Sequence, residues 1–328
     1  MTQMKAIVCT QYGPPEVLHL KDVPKPTPGD NEVLIKVYAS TVAAGDVRMR
    51  SFTWARWFLL PGKIWFGFRR PRKPTPGNEL AGEIEAIGNN VSEFKPGDQV
   101  YAIVWEVSNG GGNAEYKCMP KSRVALKPIN SSYEEAAAVP IGGLTALVLL
   151  RKGKIQKGQS VLLNGASGSV GTFAVQLAKY FGAEVTGVCS TDNIELVKSI
   201  GADKVIDYTK EDFTNSGERY DIIFDTVMKT SYSQCKNSLT GNGTFITVDW
   251  PILKALWISL TSKKKIIYGI ANKIEDLHFL RELIEEGKIK PVIDRCYPLE
   301  ETAEAHRYVE KGHKKGNVVI TIDHKDNT

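Results

Sequence analysis

Apolar and polar positions alternate in short runs over the first part of the chain. "KAIVCT", "LHLKDV", "EVLIKVYAS", "AGEIEAIG", "QVYAIV" and "AEYKCMP" alternate or run apolar, and turn clusters such as "KPTPGD" and "FKPGDQV" separate them. Runs of this length bounded by Pro, Gly and Asp predict strands. They predict a mostly antiparallel, barrel-like domain that ends near Leu126.

From Tyr133 the rhythm changes. "SSYEEAAAVPIGGLTALVLL" has a helical pattern broken by Pro140 and Gly142-Gly143. Strand-like and helix-like runs then alternate: "SVLLNG" with "SVGTFAVQLAKYFG", and "EVTGVCS" with "NIELVKSIG". "KVIDY", "YDIIFDTV", "GTFITVD" and "KIIYGIA" follow. Such alternation predicts an α/β fold, a Rossmann-type doubly wound parallel sheet with helices on both faces. An amphipathic helix, "IEDLHFLRELIEEG", and a last strand, "NVVITI", close the chain. The expected division is 1–126, 127–270 and 271–328, the last segment returning to the first domain, with the working cleft between the domains.

Composition changes this picture little. A chain of 328 residues is too long for one ordinary core and suits about two domains. The net charge of +5 is interspersed with acidic residues, which does not suggest a nucleic-acid partner. Five scattered cysteines without a C-x-x-C argue against a disulfide framework and suit a reducing, cytoplasmic setting. No signal-peptide pattern opens the chain, and no apolar run is long enough to predict a transmembrane helix.

The candidate chemistry begins at "GASGSVG". Ala166, Gly168 and Gly171 read as an A-x-G-x-x-G dinucleotide fingerprint between a strand and a helix. In this reading Ala166 makes the tight turn, Gly168 lets a pyrophosphate approach the backbone, and Gly171 lets the helix pack on the strand. The helix start, Ser167 to Gly171 with Ser169 and Val170, offers free N–H groups to a phosphate. The second strand ends in Cys189-Ser190, where a small neutral serine leaves room for a 2′-phosphate and favours NADP(H). Asp192 has two readings: an N-cap in capping-box spacing with Glu195, or a ribose ligand that would favour NAD(H).

"PGNELAGEIEAIG", "FKPGDQVYA", "AAAVPIGGLTAL", "LLNGASGSVGTFAVQLAKYFGAEVTGVCST", "SIGADKVIDY" and "YDIIFDTV" together carry a family resemblance. Over nearly its whole length the chain resembles the medium-chain dehydrogenase/reductase superfamily, in its zinc-free quinone oxidoreductase-like branch. The resemblance implies that the first domain is a GroES-like catalytic domain and that the protein is a homodimer through a sheet edge. Zinc members have a Gly-His-Glu segment and an upstream cysteine. Here Asn78 stands in Gly77-Asn78-Glu79 and Ala43 stands in the cysteine's place, so no metal is expected. The five histidines are read as structural, with His278 and His306 on surface-like helical stretches.

Without zinc an alkoxide is hard to stabilise, so hydride transfer to an electrophilic quinone, enone or enal is the expected reaction. The resemblance places Thr145 near the nicotinamide, Tyr208 near the 2′-phosphate and Asp46 beside the substrate. Each has a plainer alternative: a hydroxyl bonded to its own helix, a strand-end aromatic, and a turn or helix cap. The tyrosine common after the acidic position in quinone reductases is missing, which leaves the proton donor open. A zinc-free alcohol or carbonyl oxidoreductase and a non-catalytic NADP(H) sensor are the alternative functions.

One stretch stands apart. "SFTWARWFLLPGKIWFGFRRPRKP" (51–74) mixes Phe52, Trp54, Trp57, Phe58, Trp65, Phe66 and Phe68 with Arg56, Lys63, Arg69, Arg70, Arg72 and Lys73. Its readings, in order of preference, are a local mini-core, a lid over an apolar pocket, and interfacial membrane contact.

Overall fold

The computed structural model describes residues 2–53, 63–64, 66–104, 110–248, 265–267 and 273–324. The chain divides into two compact units, Met1–Ile141 with Val292–Thr328, and Gly142–Pro291. Both boundaries fall later than 126 and 270. The first falls inside the helix Pro140–Lys152. A continuous helical ladder gives no compositional mark where one packing unit ends.

In the first unit, β1 (Gln3–Cys9) and β2 (Leu18–Pro24) form an antiparallel pair. The main sheet is built on β3 (Glu32–Val42), an 11-residue strand long enough to serve three neighbours. One of them is β4 (Glu79–Ile87), which continues the sheet to β5 (Gln99–Ile103) and β7 (Val124–Leu126). The early half of β3 also pairs with β6 (Tyr116–Pro120), and its late half with β15 (Asn317–Thr321), which carries β14 (Ile293–Pro298). All these pairings are antiparallel except β14 with β15. Ile35, Val37, Leu80, Ile84, Val100 and Ile320 form the core of this unit.

The second unit has β8 (Ser160–Asn164), β9 (Glu184–Cys189), β10 (Lys204–Asp207), β11 (Tyr220–Asp225), β12 (Leu239–Thr247) and β13 (Lys265–Ile267). They pair in parallel in the order 10-9-8-11-12-13. Counted from β8, this is the doubly wound order 3-2-1-4-5-6, whose direction reverses between β8 and β11. The helix Ser169–Tyr180 packs on this sheet through Phe173, Ala174 and Leu177, all fully buried. The helical run breaks before Pro140 as anticipated, but not at Gly142-Gly143, which lie inside the next helix. Tyr133–Ala137 forms one helix, capped reciprocally by Ser132 and Glu135, and Pro140 is the first residue of the next. No helix among the described residues is long and apolar enough to cross a membrane.

One reading of the sequence is corrected here. His306 does not lie on a surface. It sits in the helix Thr302–Glu310 with no exposed area, and neither ring nitrogen has a hydrogen-bond partner. Position 306 falls on the apolar face with Ala305 and Val309, and only that periodicity could have shown it. Arg50, itself buried, lies close enough to repel a charged imidazole and is held by Glu310 at 3.0 Å. Burial, with the Arg50 charge adding to it, pushes the His306 pKa down to about 3. The folded protein therefore takes up this proton later than the unfolded chain. The stability tied to neutral His306 is present above about pH 6.5 and is lost as the pH falls toward 3. His306→Phe is expected to remove up to about 1.4 kcal/mol per pH unit of acid sensitivity in that window. Urea unfolding of both forms across the window checks it, and parallel pH profiles would refute it.

Candidate functional site

The candidate residues of the second unit at the turn after β8, at Ser190 and at Tyr208 lie at the carboxyl ends of its strands. After β8 the chain turns at Gly165, which has φ +84. This corrects the sequence reading, in which Ala166 made the turn. Ala166 is fully buried, and Gly165 is the residue that needs left-handed backbone. The pair Asn164-Gly165 was the available signal. Both Gly165 N and Ala166 N donate to Val188 O on β9, at 3.1 and 3.0 Å, so the turn is fastened to the neighbouring strand.

The other two glycines differ in why they are glycine. A Cβ on Gly171 would sit 2.1 Å from Gly165 O, so close packing of helix on turn requires it. A Cβ on Gly168 would meet nothing nearer than Gly165 O at 3.5 Å, and its backbone is ordinary, with φ −82. Among the described residues nothing demands glycine at 168. Its bare surface fits close approach by a ligand to the N-terminus of Ser169–Tyr180, where the N–H groups of a helix's first turn point out of the helix. The residues present therefore fit a pyrophosphate.

Ser190 lies just past the end of β9 and is linked to the turn by a residue the sequence reading missed. Asn193 Nδ2 donates to Ser167 Oγ and to Ser190 Oγ, both at 3.1 Å. Asn193 Oδ1 is buried without a partner. The cap assigned to Asp192 is not formed. Thr191–Asn193 is a 3₁₀ turn, and Asn193, not Asp192, precedes the helix Ile194–Ser199. The extra turn moves the cap position by one residue and leaves Asp192 exposed. Tyr208 follows β10 beside this position, its N–H donating to Cys189 O at 3.1 Å and its ring 54% exposed. Asp207, one residue earlier, is fully engaged. Thr191 Oγ1 donates to one oxygen at 2.5 Å, while Thr209 donates to the other through Oγ1 at 2.7 Å and through its N–H at 3.0 Å. These bonds hold its carboxyl well below the usual carboxylate range.

At the point where strand order reverses, Asn164 Nδ2 donates to Asp225 Oδ1 at 3.1 Å. Asp225 is fully buried and also accepts from Val227 N and Thr230 N. Burial raises its pKa against these bonds. The pair joins strands 61 residues apart in sequence, so no local motif announces it. Thr145, in Pro140–Lys152, is 7% exposed, and among the described residues its hydroxyl has no hydrogen-bond partner. The alternative of a hydroxyl bonded to its own helix is therefore not what is formed.

The first unit holds Asp46 on the helix Ala44–Ser51. One carboxylate oxygen accepts from Ala43 N at 2.8 Å, which caps the helix. The other accepts from Asn78 Nδ2 at 2.7 Å and Gly77 N at 3.2 Å. Beside it, Glu79 accepts from Thr41 Oγ1 at 2.5 Å and Ile141 N at 2.7 Å. Burial pushes Asp46 up to about 6 and Glu79 to about 7, the Asp46 charge adding to the latter. Lys314 is pulled down to about 8 by burial, against the attraction of Glu79. Glu79, Thr41 and Lys314 meet only through tertiary structure and were not singled out in the sequence.

Two family models match the chain: the alcohol dehydrogenase GroES-like domain over residues 29–157, and a zinc-binding dehydrogenase model over 200–320. A chloroplast envelope quinone oxidoreductase homolog of Arabidopsis thaliana is 33% identical, covering 91% of this chain and 92% of its own. An NADPH-dependent alkenal/one oxidoreductase of the same plant is 32% identical, covering 97% of this chain and 79% of its own. Among solved structures, the quinone oxidoreductase from Coxiella burnetii superposes with a TM-score of 0.88 at 30% identity, covering 98% of this chain and all of its own. The zinc in the second model's description finds no fit here. The Asn78 amide is committed to Asp46, Ala43 has no ligating atom, and no group of three or more His, Cys, Asp or Glu among the described residues could hold a metal ion.

Two outcomes are expected from these contacts. Gly171→Ala should cost about 3 kcal/mol of stability, because helix and turn must part. Gly168→Ala should cost about 1 kcal/mol or less, the difference between glycine and alanine at an N-cap. Denaturant unfolding compares them, and equal losses would remove the distinction. Glu79 has its folded pKa raised from 4.5 to about 7, so its contribution is present below 4.5 and is lost as the pH rises through 7. Wild type should therefore weaken relative to Glu79→Gln across that window and run parallel to it above. A thermal melting series in pH reads this directly.

Proposed function

Because the chain belongs to the medium-chain dehydrogenase/reductase superfamily, in its zinc-free quinone oxidoreductase-like branch, we propose that it is an NADPH-dependent reductase of quinones and α,β-unsaturated carbonyls. It is an NAD(P)H-dependent oxidoreductase, and the reading adds the acceptor class and the nucleotide. The observation that carries it is Gly168, a glycine with no packing reason at a helix N-terminus, beside the neutral Ser190.

In this reading the N–H groups of Ser169, Val170 and Gly171 bind the pyrophosphate, and Gly168 lets it approach. Ser167 and Ser190, fixed by Asn193, flank the adenosine ribose, with Tyr208 beside the 2′-phosphate. Thr145 positions the nicotinamide end with its unspent hydroxyl. The cofactor supplies the hydride when bound. Asp46 spends its carboxylate on the Ala43, Gly77 and Asn78 donors, so it positions Asn78 and does not act as a free acid. With no metal to polarise an alcohol, the suitable acceptors are already electrophilic: quinones, enones and enals. A homodimer and residence in the cytoplasm belong to the same proposal.

The test is loss of reduced-nicotinamide absorbance with NADPH or NADH and a panel of quinones and enones, with and without chelator. Chelator-resistant oxidation that prefers NADPH is expected. Ser190→Asp should shift the preference toward NADH by roughly tenfold or more, since a carboxylate there bonds ribose hydroxyls and repels a 2′-phosphate. Tight nucleotide binding without turnover would overturn the enzymatic reading in favour of a sensor. Turnover restricted to saturated carbonyls would overturn the acceptor class.

A further inference from the structure

A cleft of about 610 Å³ opens in the first unit where β1 meets the turn that follows Gly67. Four cations line it, Lys21, Arg69, Arg70 and Arg72, and no acidic residue does. All four are exposed, and among the described residues none forms an ion pair. The turn that presents the arginines is built. Gly67 has φ +118, and a Cβ there would sit 2.2 Å from Arg70 O. Arg72 N donates to Phe66 O at 2.8 Å. The turn is fastened to its neighbours by Tyr12 Oη donating to Gly67 O at 3.0 Å and Cys9 N donating to Pro74 O at 2.7 Å. Backbone bonds hold like charges together here, and no carboxylate among the described residues lines the cleft to offset them.

Phe68 lines the cleft beside the charge, and Ile64 precedes Gly67 by three residues in the chain. Ile64 is 57% and Phe68 62% exposed, two of only seven large hydrophobic residues exposed among those described. Phe52, by contrast, is buried with its ring 4.7 Å from that of Tyr12. Among its described residues the insert thus has one buried ring, Phe52, and an exposed cationic and apolar face. Its remaining residues, Trp54, Trp57, Phe58 and Trp65 with them, lie outside the described residues. The lid reading falls on those residues, outside the described ones.

We infer that this cleft docks the phosphate headgroups of an anionic lipid surface, with Phe68 and Ile64 entering the interface. Arginine suits phosphate because its planar fork pairs two oxygens. A soluble phosphate compound would account for the cations alone. The adjacent exposed phenylalanine and isoleucine match a surface that is anionic outside and apolar beneath.

The test is co-sedimentation of the full chain with vesicles of phosphatidylcholine alone, or of phosphatidylcholine and phosphatidylserine in equal parts. Binding to the anionic vesicles only is expected, falling with salt. Each of Arg69→Gln, Arg70→Gln and Arg72→Gln should weaken partitioning roughly fivefold, and the triple variant roughly a hundredfold. Phe68→Ala should weaken it without changing the salt dependence. An unchanged melting temperature shows that the variants fold. Equal binding to both vesicle types, or binding that survives the triple substitution, would overturn the inference. So would saturable calorimetric binding of inorganic phosphate without vesicle binding, which would assign the cleft to a soluble ligand.

Discussion

The second unit depends on how closely one helix can approach one turn. Gly171 lies so near Gly165 O that any side chain would force helix and strand apart. That contact puts the start of Ser169–Tyr180 directly over the carboxyl end of β8. It also places the first helical N–H groups where the strand order reverses, the one edge of a doubly wound sheet where the loops of neighbouring strands diverge and leave a crevice. The positive φ of Gly165 is the other half of the same constraint, since only a left-handed residue turns the chain quickly enough. Gly168 is then free to be shaped by what binds.

The first unit meets a different constraint, that of charge in a dry place. Asp46 and Glu79 are almost fully buried, and both are pushed toward neutrality. A carboxylate in such surroundings is tolerable only if its lone pairs are filled. Asp46 fills its own with two backbone N–H groups and the Asn78 amide, and Glu79 with Thr41 and Ile141 N. An amide at 78 suits this arrangement because its donor needs no metal beside it. Hydrogen bonds fill the lone pairs of both carboxylates, and the buried Lys314 charge attracts Glu79.

Much of this was legible in the sequence, and what was not has a common cause. Period-two runs marked β1 to β6, and the strand–helix alternation marked the parallel sheet, because those signals are local. Gly168 and Gly171 were found by spacing, yet the turn was assigned to Ala166, since a fingerprint read by register does not say which residue carries positive φ. Asp192 looked like a cap because its spacing was right, but a 3₁₀ turn of three residues puts Asn193 at the position before the helix, with no side-chain cap bond. His306 looked exposed because histidine usually is, whereas its helix face packs inward. Asn164 with Asp225, and Glu79 with Thr41, are contacts across 61 and 38 residues, which no window along the chain can see.

The four carboxylates that stand at the working ends of both units share one property. Asp46, Glu79, Asp207 and Asp225 each accept at least two hydrogen bonds from the protein, and each is buried. A group so engaged is scaffold. It cannot offer a proton or a lone pair to a substrate without breaking bonds that are costly to lose in the interior. A chain whose acids at these places are all committed, and whose described residues include no group of three or more that could hold a metal ion, supplies little chemistry of its own there beyond placement. It is therefore suited to a reaction in which the nucleotide brings the hydride and the acceptor is electrophilic before it arrives. The same logic bears on the nucleotide. Asp207 is the carboxylate nearest in chain position to Tyr208, and Thr191 and Thr209 occupy both of its oxygens, so it is not available to bond ribose hydroxyls. That leaves the small neutral Ser190 at the strand end, a position with room for a 2′-phosphate.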